Sequence, residues 1–391
     1  MKGMSAKEFL GFSLMDGIYW GFYAAFGGFA TTYLLECGLS SSVLSIMLSV
    51  FMLLSFIGAF FWGSKCDKAK TNKKVFIPQF LMTVAVAMAI YFLAKINIWI
   101  STCLYPVFGF LSSSLGSNLD TWMLRSFHKD AGRYGKARSI GSMGYAVVAL
   151  VMGQLIQKFG YSMIPVGAGI LALIVFVFAL VMQELPMEVA AEHLHMEDLS
   201  PKKLMHIPSY VFMLVVVFLT GLAMAPVNNL KIVILQSVGG DVSVLGIDSF
   251  LGVCVQAVLI FISGKLKRMP TYLRLFLMAF AVLLTQVSVA LAFTPALVIL
   301  GTVFANISYG IMLPTQREIV ESDVPSSLKN TAHSLSDAMF GSFSGILALT
   351  YSGVLMDAFG AKFVAVLGIG IMSIASVLAL VKMLKVKKTA E

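Results

Sequence analysis

The sequence predicts an all-α membrane protein whose twelve transmembrane helices form two pseudo-symmetric six-helix bundles. Three observations lead to this prediction: an apolar composition, the spacing of the apolar runs, and a repeat of about 200 residues. Hydrophobic residues make up 59% of the chain and charged residues only 12%. Soluble domains usually carry about 25% charged residues. Lipid is therefore the expected solvent for most of this chain.

The apolar runs are long enough to cross a bilayer. About 20 helical residues span the hydrocarbon core, and only helices or closed barrels satisfy their backbone hydrogen bonds in lipid. The runs are continuous rather than alternating, which favours helices over barrel strands. The predicted spans are 9–35, 41–64, 75–95, 99–124, 138–158, 162–184, 209–235, 242–264, 272–293, 295–319, 331–357 and 363–384. They use nearly the whole chain, so we predict no soluble catalytic domain and no enzyme.

The distribution of positive charge predicts the topology. With a cytoplasmic N-terminus, 24 of the 28 Lys and Arg residues fall on the cytoplasmic side. Such an excess is the positive-inside pattern. It predicts a multi-pass protein of the cell (plasma or inner) membrane with both termini in the cytoplasm. The net charge of +9 then reflects topology, and no nucleic-acid partner is expected.

Two pairs of segments repeat at nearly the same offset. The segment "SVLSIMLSVF" from Ser42 matches "SVLGIDSFLG" from Ser243, and "GQLIQKFG" (153–160) matches "GVLMDAFG" (353–360). We therefore predict an N-terminal bundle over 1–184, a cytoplasmic linker over 185–208 and a C-terminal bundle over 209–391. Parallel repeats of this kind are a transporter architecture. The alternative is a structural duplication without transport.

The first span carries a polar and aromatic face. Asp16, Tyr19, Trp20 and Tyr23 follow the spacing i, i+3, i+4, i+7, which places them on one side of a helix. An aromatic stripe with a carboxylate suits a ring-shaped or sugar-like ligand. The alternative is an aromatic anchor at the membrane surface.

The fourth and fifth spans predict an ion pair. They are antiparallel and joined by a short loop, so Asp120 and Arg138 lie at similar depth on neighbouring helices. Arginine stays charged under ordinary conditions, which makes Arg138 the predicted counter-ion of Asp120, with Tyr145 further along the same face. A buried ion pair is weak evidence for stability. We therefore favour a substrate-binding role over a structural staple.

The second half offers candidates for the cavity and for proton coupling. Asn229 and Asn306 belong to corresponding polar spans and are predicted to contact substrate. His333 and Asp337, at i and i+4, form a candidate proton relay, although His333 can also be a residue at a helix end near the membrane surface. Neither Asp16 nor Asp337 has a cationic neighbour in sequence, so both are candidates for coupling.

The loop after the second span is a candidate gate. Gly63, Asp67 and Lys68 precede a basic loop, and an aspartate there can meet the positive end of a helix. The alternative is an ordinary positive-inside loop. The chain has no P-loop, no GxSxG and no zinc motif. We therefore predict no metal site, no cofactor and no primary pump.

The layout and three segments resemble the major facilitator superfamily (MFS). The Gly63 to Lys68 segment is similar to its loop signature, and 317–335 is similar to a segment of the sugar and nucleoside permeases. "YGKARSIGSMGYA" (134–146) is similar to the lactose-permease-like branch. This resemblance implies the MFS fold. It also implies that Asp120 binds sugar, that Arg138 is its partner and that Tyr145 stacks on the sugar.

The second half departs from that branch. Tyr309 and Met312 stand where the lactose permease has the His and Glu of proton coupling. Gln256 stands where an acidic residue is frequent, and Gly341 replaces a lysine. The resemblance therefore does not support galactoside specificity, and other groups must carry any coupled proton.

These observations predict a secondary active transporter that moves a small polar or sugar-like solute by alternating access. Proton-coupled uptake (symport) by a monomer is the favoured form, with the solute, protons and the lipid bilayer as its partners. An MFS antiporter that exports drugs or metabolites is one alternative, since 24 methionines suit a pliable pocket. A non-transporting membrane receptor is the alternative from another class.

Overall fold

The computed structural model describes residues 6–128, 130–184, 201–261, 266 and 268–390, and within these ranges the chain contains helices and no strand. This confirms the predicted all-α class. Eleven helical segments of the described part are long and apolar enough to span a bilayer. The first predicted span corresponds to a helix of 22 residues, Ala6–Gly27, which extends about 33 Å at about 1.5 Å per residue. Lys7, Glu8 and Asp16 lower its apolar character.

Contacts divide the chain into two compact units. The helices of the first unit are α1 (Ala6–Gly27), α2 (Ala30–Glu36), α3 (Ser41–Ala69), α4 (Lys73–Ala94), α5 (Ile98–Ser112), α6 (Leu115–Ser126), α7 (Ala131–Phe159) and α8 (Met163–Val181). Contacts also assign Asp241–Val253, at the start of α11 (Val242–Phe261), to this unit. There, the backbone of Gly246 approaches α7 so closely that an added Cβ would lie 2.6 Å from the carbonyl oxygen of Ala149.

The second unit contains the rest of α11 and the helices that surround it in sequence. These are α9 (Pro208–Asn229), α10 (Lys231–Gln236), α12 (Thr271–Ala290), α13 (Pro295–Asp323), α14 (Lys329–Ala338), a π-helical turn (Met339–Phe343), α15 (Ser344–Phe359) and α16 (Phe363–Ala390). A 3-10 helix, Pro201–His206, precedes α9. Residues 185–200 of the predicted linker lie outside the described residues, so the bounds of the linker stay a prediction.

Local sequence explains where several helices begin. The side chains of Ser40, Asn97 and Asp130 accept hydrogen bonds from backbone N–H groups in the first turns of α3, α5 and α7. Such residues satisfy amides that have no partner within the helix. Asp241 does the same for α11, accepting from the amides of Ser243 and Val244 and from the Ser243 hydroxyl. The hydrogen bond from the Ser243 hydroxyl, followed by those from the backbone, holds the pKa of Asp241 below its usual value.

The repeated octapeptide ends its helix in the same way in both units. Gly160 follows α7 with φ +81°, and Gly360 follows α15 with φ +92°. A residue with a side chain rarely adopts these angles. The two glycines of the repeat therefore have the same structural role, which explains why the repeat can be read in the sequence.

Small residues let α1 and α7 approach each other closely. A Cβ on Gly144 of α7 would overlap the carbonyl oxygen of Gly17, and a Cβ on Gly21 would lie 2.9 Å from Cγ2 of Val148. Close backbone approach at small residues is the usual packing of membrane helices. This packing brings polar side chains of α1 and α7 together in the interior of the first unit.

Candidate functional site

Arg138 of α7 lies between two carboxylates in the first unit. Its Nε atom is 3.5 Å from Oδ1 of Asp120 on α6, and its Nη1 atom is 3.7 Å from Oδ2 of Asp16 on α1. The side chain of Asp16 is fully buried, whereas those of Asp120 and Arg138 are 27% and 30% exposed. The predicted pairing of Asp120 with Arg138 is therefore present. Asp16, which has no cationic neighbour in sequence, has one in space, because Arg138 reaches it from a distant part of the sequence.

The cluster contains buried polar atoms that make no hydrogen bond. They are both carboxylate oxygens of Asp16, Oδ1 of Asp120, Nη1 of Arg138 and the indole nitrogen of Trp20. Buried polar groups in proteins are ordinarily hydrogen-bonded. These atoms therefore retain unused capacity to donate and accept hydrogen bonds, which a polar ligand or a proton can fill.

Aromatic rings cover one side of the cluster. The guanidinium carbon of Arg138 is 4.6 Å from the centroid of the Trp20 ring, a distance at which the ring attracts a cation. The Tyr23 ring lies 6.0 Å from Trp20 and stacks on Phe108. Tyr145 lies within electrostatic reach of Tyr23. Trp20, Tyr23 and Tyr145 thus share one region of the first unit, and their predicted contact with substrate stays a prediction.

Tyr19 has a different environment from its neighbours on α1. Its side chain is 2% exposed, and its ring packs 6.2 Å from Phe76 and 6.4 Å from Phe80 of α4. Tyr19 therefore lies apart from the predicted polar and aromatic face that helical spacing assigns it to. Tyr19 supports the stripe from the core, and its predicted contact with substrate has no support from this packing.

The site also includes two tyrosines that the sequence analysis did not select. Tyr134 of α7 lies within electrostatic reach of Asp120 and Arg138, and it lies one turn before Arg138, a spacing that could have identified it. Tyr105 of α5 lies within electrostatic reach of Tyr23 and Tyr145. The fourth span is interrupted between α5 and α6. Helical periodicity counted from Asp120 therefore does not predict which face Tyr105 occupies.

The second unit contains a cavity of about 240 Å³. It is lined by Thr220, Met224, Asn228, Gln256, Val282, Ala305, Asn306, Ser308, Tyr309, Met312 and Phe340. The lining combines amides and hydroxyls with apolar side chains. Asn306 lines this cavity, whereas the Asn229 amide donates to the carbonyl oxygen of Ala225 and is not among the lining residues. Phe340 belongs to the π-helical turn, a distortion that often marks functional sites.

His333 and Asp337 do not pair with each other. The Nε2 atom of His333 is 3.1 Å from Oε1 of Glu321, and Oδ2 of Asp337 is 2.9 Å from Nη2 of Arg317. Asp337, which has no cationic neighbour in sequence, therefore has one in space. Both partners come from the end of α13. No direct contact between His333 and Asp337 therefore supports the predicted proton relay along one helix.

The predicted gating residues lie at the cytoplasmic end of α3, by the predicted topology. Gly63 has open space where a Cβ would be, and Asp67 and Lys68 are exposed in the last turn. The helix ends at Ala69, and Lys70, which follows it, has φ +51°. The described contacts give these residues no specific partner in a neighbouring helix, and the gating role stays a prediction.

Comparisons with known proteins agree with this architecture. A model of the MFS_1 like family matches residues 12–366. A maltose permease of Geobacillus stearothermophilus is 24% identical over 363 residues, which are 91% of this chain and 89% of the permease. Among solved structures, a mutant of the nucleoside transporter NupG matches with a TM-score of 0.81 and 13% identity, covering 96% of this chain and 99% of that one. An auto-inhibited POT family peptide transporter matches with a TM-score of 0.73 and 12% identity, covering 97% of each chain.

Proposed function

The chain belongs to the MFS_1 like family and is a secondary transporter of the MFS type, and we propose that it takes up a solute with a hydroxylated ring together with a proton. Alternating access of the kind usual for such folds would carry the solute across. We further propose that it works as a monomer in the cell membrane with both termini in the cytoplasm, in keeping with its positive charges. The arrangement of Arg138 between two carboxylates is the observation that carries this proposal.

The charge balance of the cluster supports proton coupling. Asp16 and Asp120 face a single guanidinium, so the cluster carries one excess negative charge when both acids are ionised. An uncompensated charge away from water is costly, and one proton makes the cluster neutral. Asp16 is the proposed site of that proton, because it is fully buried and shares its one described cationic partner, Arg138, with Asp120. Protonation of Asp16 would leave the Arg138 guanidinium available to contact Asp120 and the substrate.

The groups around the cluster support a sugar-like substrate. Asp120 and Arg138 are partly exposed and can exchange hydrogen bonds with hydroxyl groups. Trp20, Tyr23 and Tyr145 offer aromatic faces and hydroxyls beside them. The similar proteins named above include a maltose permease and a nucleoside transporter, and the substrates in both names contain a sugar ring. A sugar or a nucleoside is therefore the proposed class.

A second candidate function draws on the cavity of the second unit. Met224, Met312 and Phe340 contribute flexible and aromatic surface to its lining, which suits amphipathic compounds. Export of drugs or metabolites by antiport is the function that such a lining favours. The ion-paired cluster favours polar solutes, and substitution of Arg138 separates the two proposals.

Uptake into proteoliposomes tests the proton-coupled function. We expect labelled maltose or uridine to accumulate only when the outside is more acidic than the inside. Asp16→Asn should lower this accumulation by roughly tenfold or more, since a coupling free energy of a few kcal/mol links the two ligands. Counterflow, which needs no proton gradient, should persist in this variant.

Glu36→Gln is the matched control, because Glu36 is an exposed acid at the end of α2. It should accumulate solute as the unaltered protein does. Accumulation that ignores the pH gradient would contradict proton coupling. Absence of counterflow for both maltose and uridine would contradict the proposed substrate class.

A further inference from the structure

Position 141 has no side chain, although it lies where Arg138 and Asp16 meet. A Cβ on Gly141 would overlap Oδ2 of Asp16 and would lie 2.8 Å from Cγ of the same carboxylate. It would also lie 2.7 Å from Nη1 of Arg138. These are the two groups that form the 3.7 Å ion pair. Any side chain at this position would therefore enter the space that the pair uses.

Helix geometry explains why this position matters. Residues 138 and 141 are three apart on α7 and share a face. Long side chains on a helix ordinarily lean toward its N-terminus, which is away from residue 141. The Nη1 atom of Arg138 nevertheless lies beside Gly141, in the direction of Asp16. The missing Cβ gives the guanidinium room to take this position.

We propose that Gly141 is a positioning residue for proton coupling, because its missing side chain lets one guanidinium contact both carboxylates. The inference rests on the proposed function, in which Asp16 carries the proton. The charged and titratable groups that face Asp16 are Arg138 and Tyr134 of α7, Asp120 of α6 and Tyr19 of its own helix. Among them Arg138 is the only cation, so its position decides the charge balance at Asp16.

A methyl group at position 141 should break one of the two ion pairs of Arg138 and leave the other intact. It meets Nη1 of Arg138, which faces Asp16, whereas Asp120 contacts Nε of the same guanidinium. The atoms that it would displace belong to the carboxylate of Asp16 and the guanidinium of Arg138, and none of them is a backbone atom. Gly141→Ala should therefore fold, keep the contact between Asp120 and Arg138, and lose the contact with Asp16.

Two other glycines of α7 have surroundings that differ from those of Gly141. A Cβ on Gly144 would overlap the backbone carbonyl of Gly17, which cannot rotate away, so a side chain there would force α1 and α7 apart. Gly135, on the same helix, has no atom within 4 Å of its added Cβ. Gly135→Ala is therefore the matched control for an added methyl group on α7 that displaces nothing.

The test compares proton-driven accumulation with counterflow in proteoliposomes, using labelled maltose and uridine. For Gly141→Ala we expect counterflow within roughly twofold of the unaltered protein, accumulation lower by roughly tenfold, and a flattened dependence of uptake on pH. Gly135→Ala should match the unaltered protein in all three. Unaltered accumulation and pH dependence in Gly141→Ala would overturn the proposal. So would an equal loss of counterflow, which a merely structural role produces.

A thermal-unfolding cycle tests the same contact without transport. Gly141→Ala should shift the apparent Tm of the otherwise unaltered protein. It should shift the apparent Tm of the Asp16→Ala variant far less, because that variant lacks the carboxylate that the methyl group displaces. Equal shifts in both backgrounds would overturn the proposal. If the unaltered protein ignores the pH gradient, the proposed coupling fails, and this cycle still decides whether Gly141 positions Asp16. If Gly141→Ala does not fold, recovery of folding in the Asp16→Ala background supports the contact and continued misfolding contradicts it.

Discussion

Arg138→Ala is expected to lower uptake by roughly a hundredfold or more, because breaking a buried ion pair from one side costs about 3–5 kcal/mol. The substitution leaves Asp16 and Asp120 without the cation that contacts both of them. It also removes the group that lies over the Trp20 ring. Initial rates of counterflow and of proton-driven uptake, measured per folded transporter, give the size of the loss.

Two further variants define the cause of this loss. Arg133→Ala removes a cation from the same helix whose side chain is 51% exposed and pairs with Asp130 outside the cluster, so it should transport normally. Arg138→Lys keeps the charge but lacks the planar fork that contacts two acids at once, and it should recover only part of the activity. If Arg138→Ala kept most of its transport, the apolar-pocket alternative would be favoured and the polar-solute proposal would be contradicted.

The pairing of Asp120 with Arg138 could be predicted because it depends on little more than topology. Antiparallel neighbouring spans joined by a short loop place residues near that loop at one depth, and a buried carboxylate requires compensation. The participation of Asp16 could not be predicted in this way. It depends on the close approach of α1 and α7 at Gly17 and Gly144, and sequence spacing does not report the distance between two helices.

The second half shows the opposite case, in which a regular spacing was misleading. His333 and Asp337 are one helical turn apart and share a face, which suggests a pair. Glu321 and Arg317 at the end of α13 instead provide their partners. These partners lie on another helix across a turn, so the pattern within α14 contains no information about them. Helical periodicity predicts which side chains share a face but not which neighbours that face meets.

The cytoplasmic ends of each unit, assigned by the predicted topology, carry a further ion pair that the sequence analysis did not identify. Glu184, just after α8, accepts hydrogen bonds from the Thr71 hydroxyl, from the amides of Asn72 and Lys73, and from Nη2 of Arg125. The first amides of α4 have no partner within the helix, and a carboxylate is favoured at that end. One side chain thus joins the start of α4, the end of α6 and the end of α8.

The second unit has a buried arginine at the start of its third span. Arg274 lies in the first turn of α12 and is 1% exposed, and its guanidinium contacts both carboxylate oxygens of Glu318 near the end of α13. The ion pairs of the two units therefore join different spans. Arg125 and Glu184 connect the end of the fourth span with the end of the sixth, and Glu184 also accepts hydrogen bonds from the start of the third. Arg274 and Glu318 connect the start of the third span directly with the end of the fourth, so a comparison of the two halves by sequence does not reveal either contact.

Glu184→Ala is expected to destabilise the protein by about 3 kcal/mol, because it leaves Arg125 and the first amides of α4 without their acceptor. The measurement is the apparent Tm in detergent, with Glu36→Ala as the control, since Glu36 is exposed. Glu184→Gln keeps an acceptor but loses the charge, so its Tm should fall between the two. Because none of the contacts of Glu184 described above involves Asp16, Asp120 or Arg138, counterflow per folded molecule and its pH dependence should not change. A changed pH dependence would mean that this network takes part in coupling and is more than a structural support.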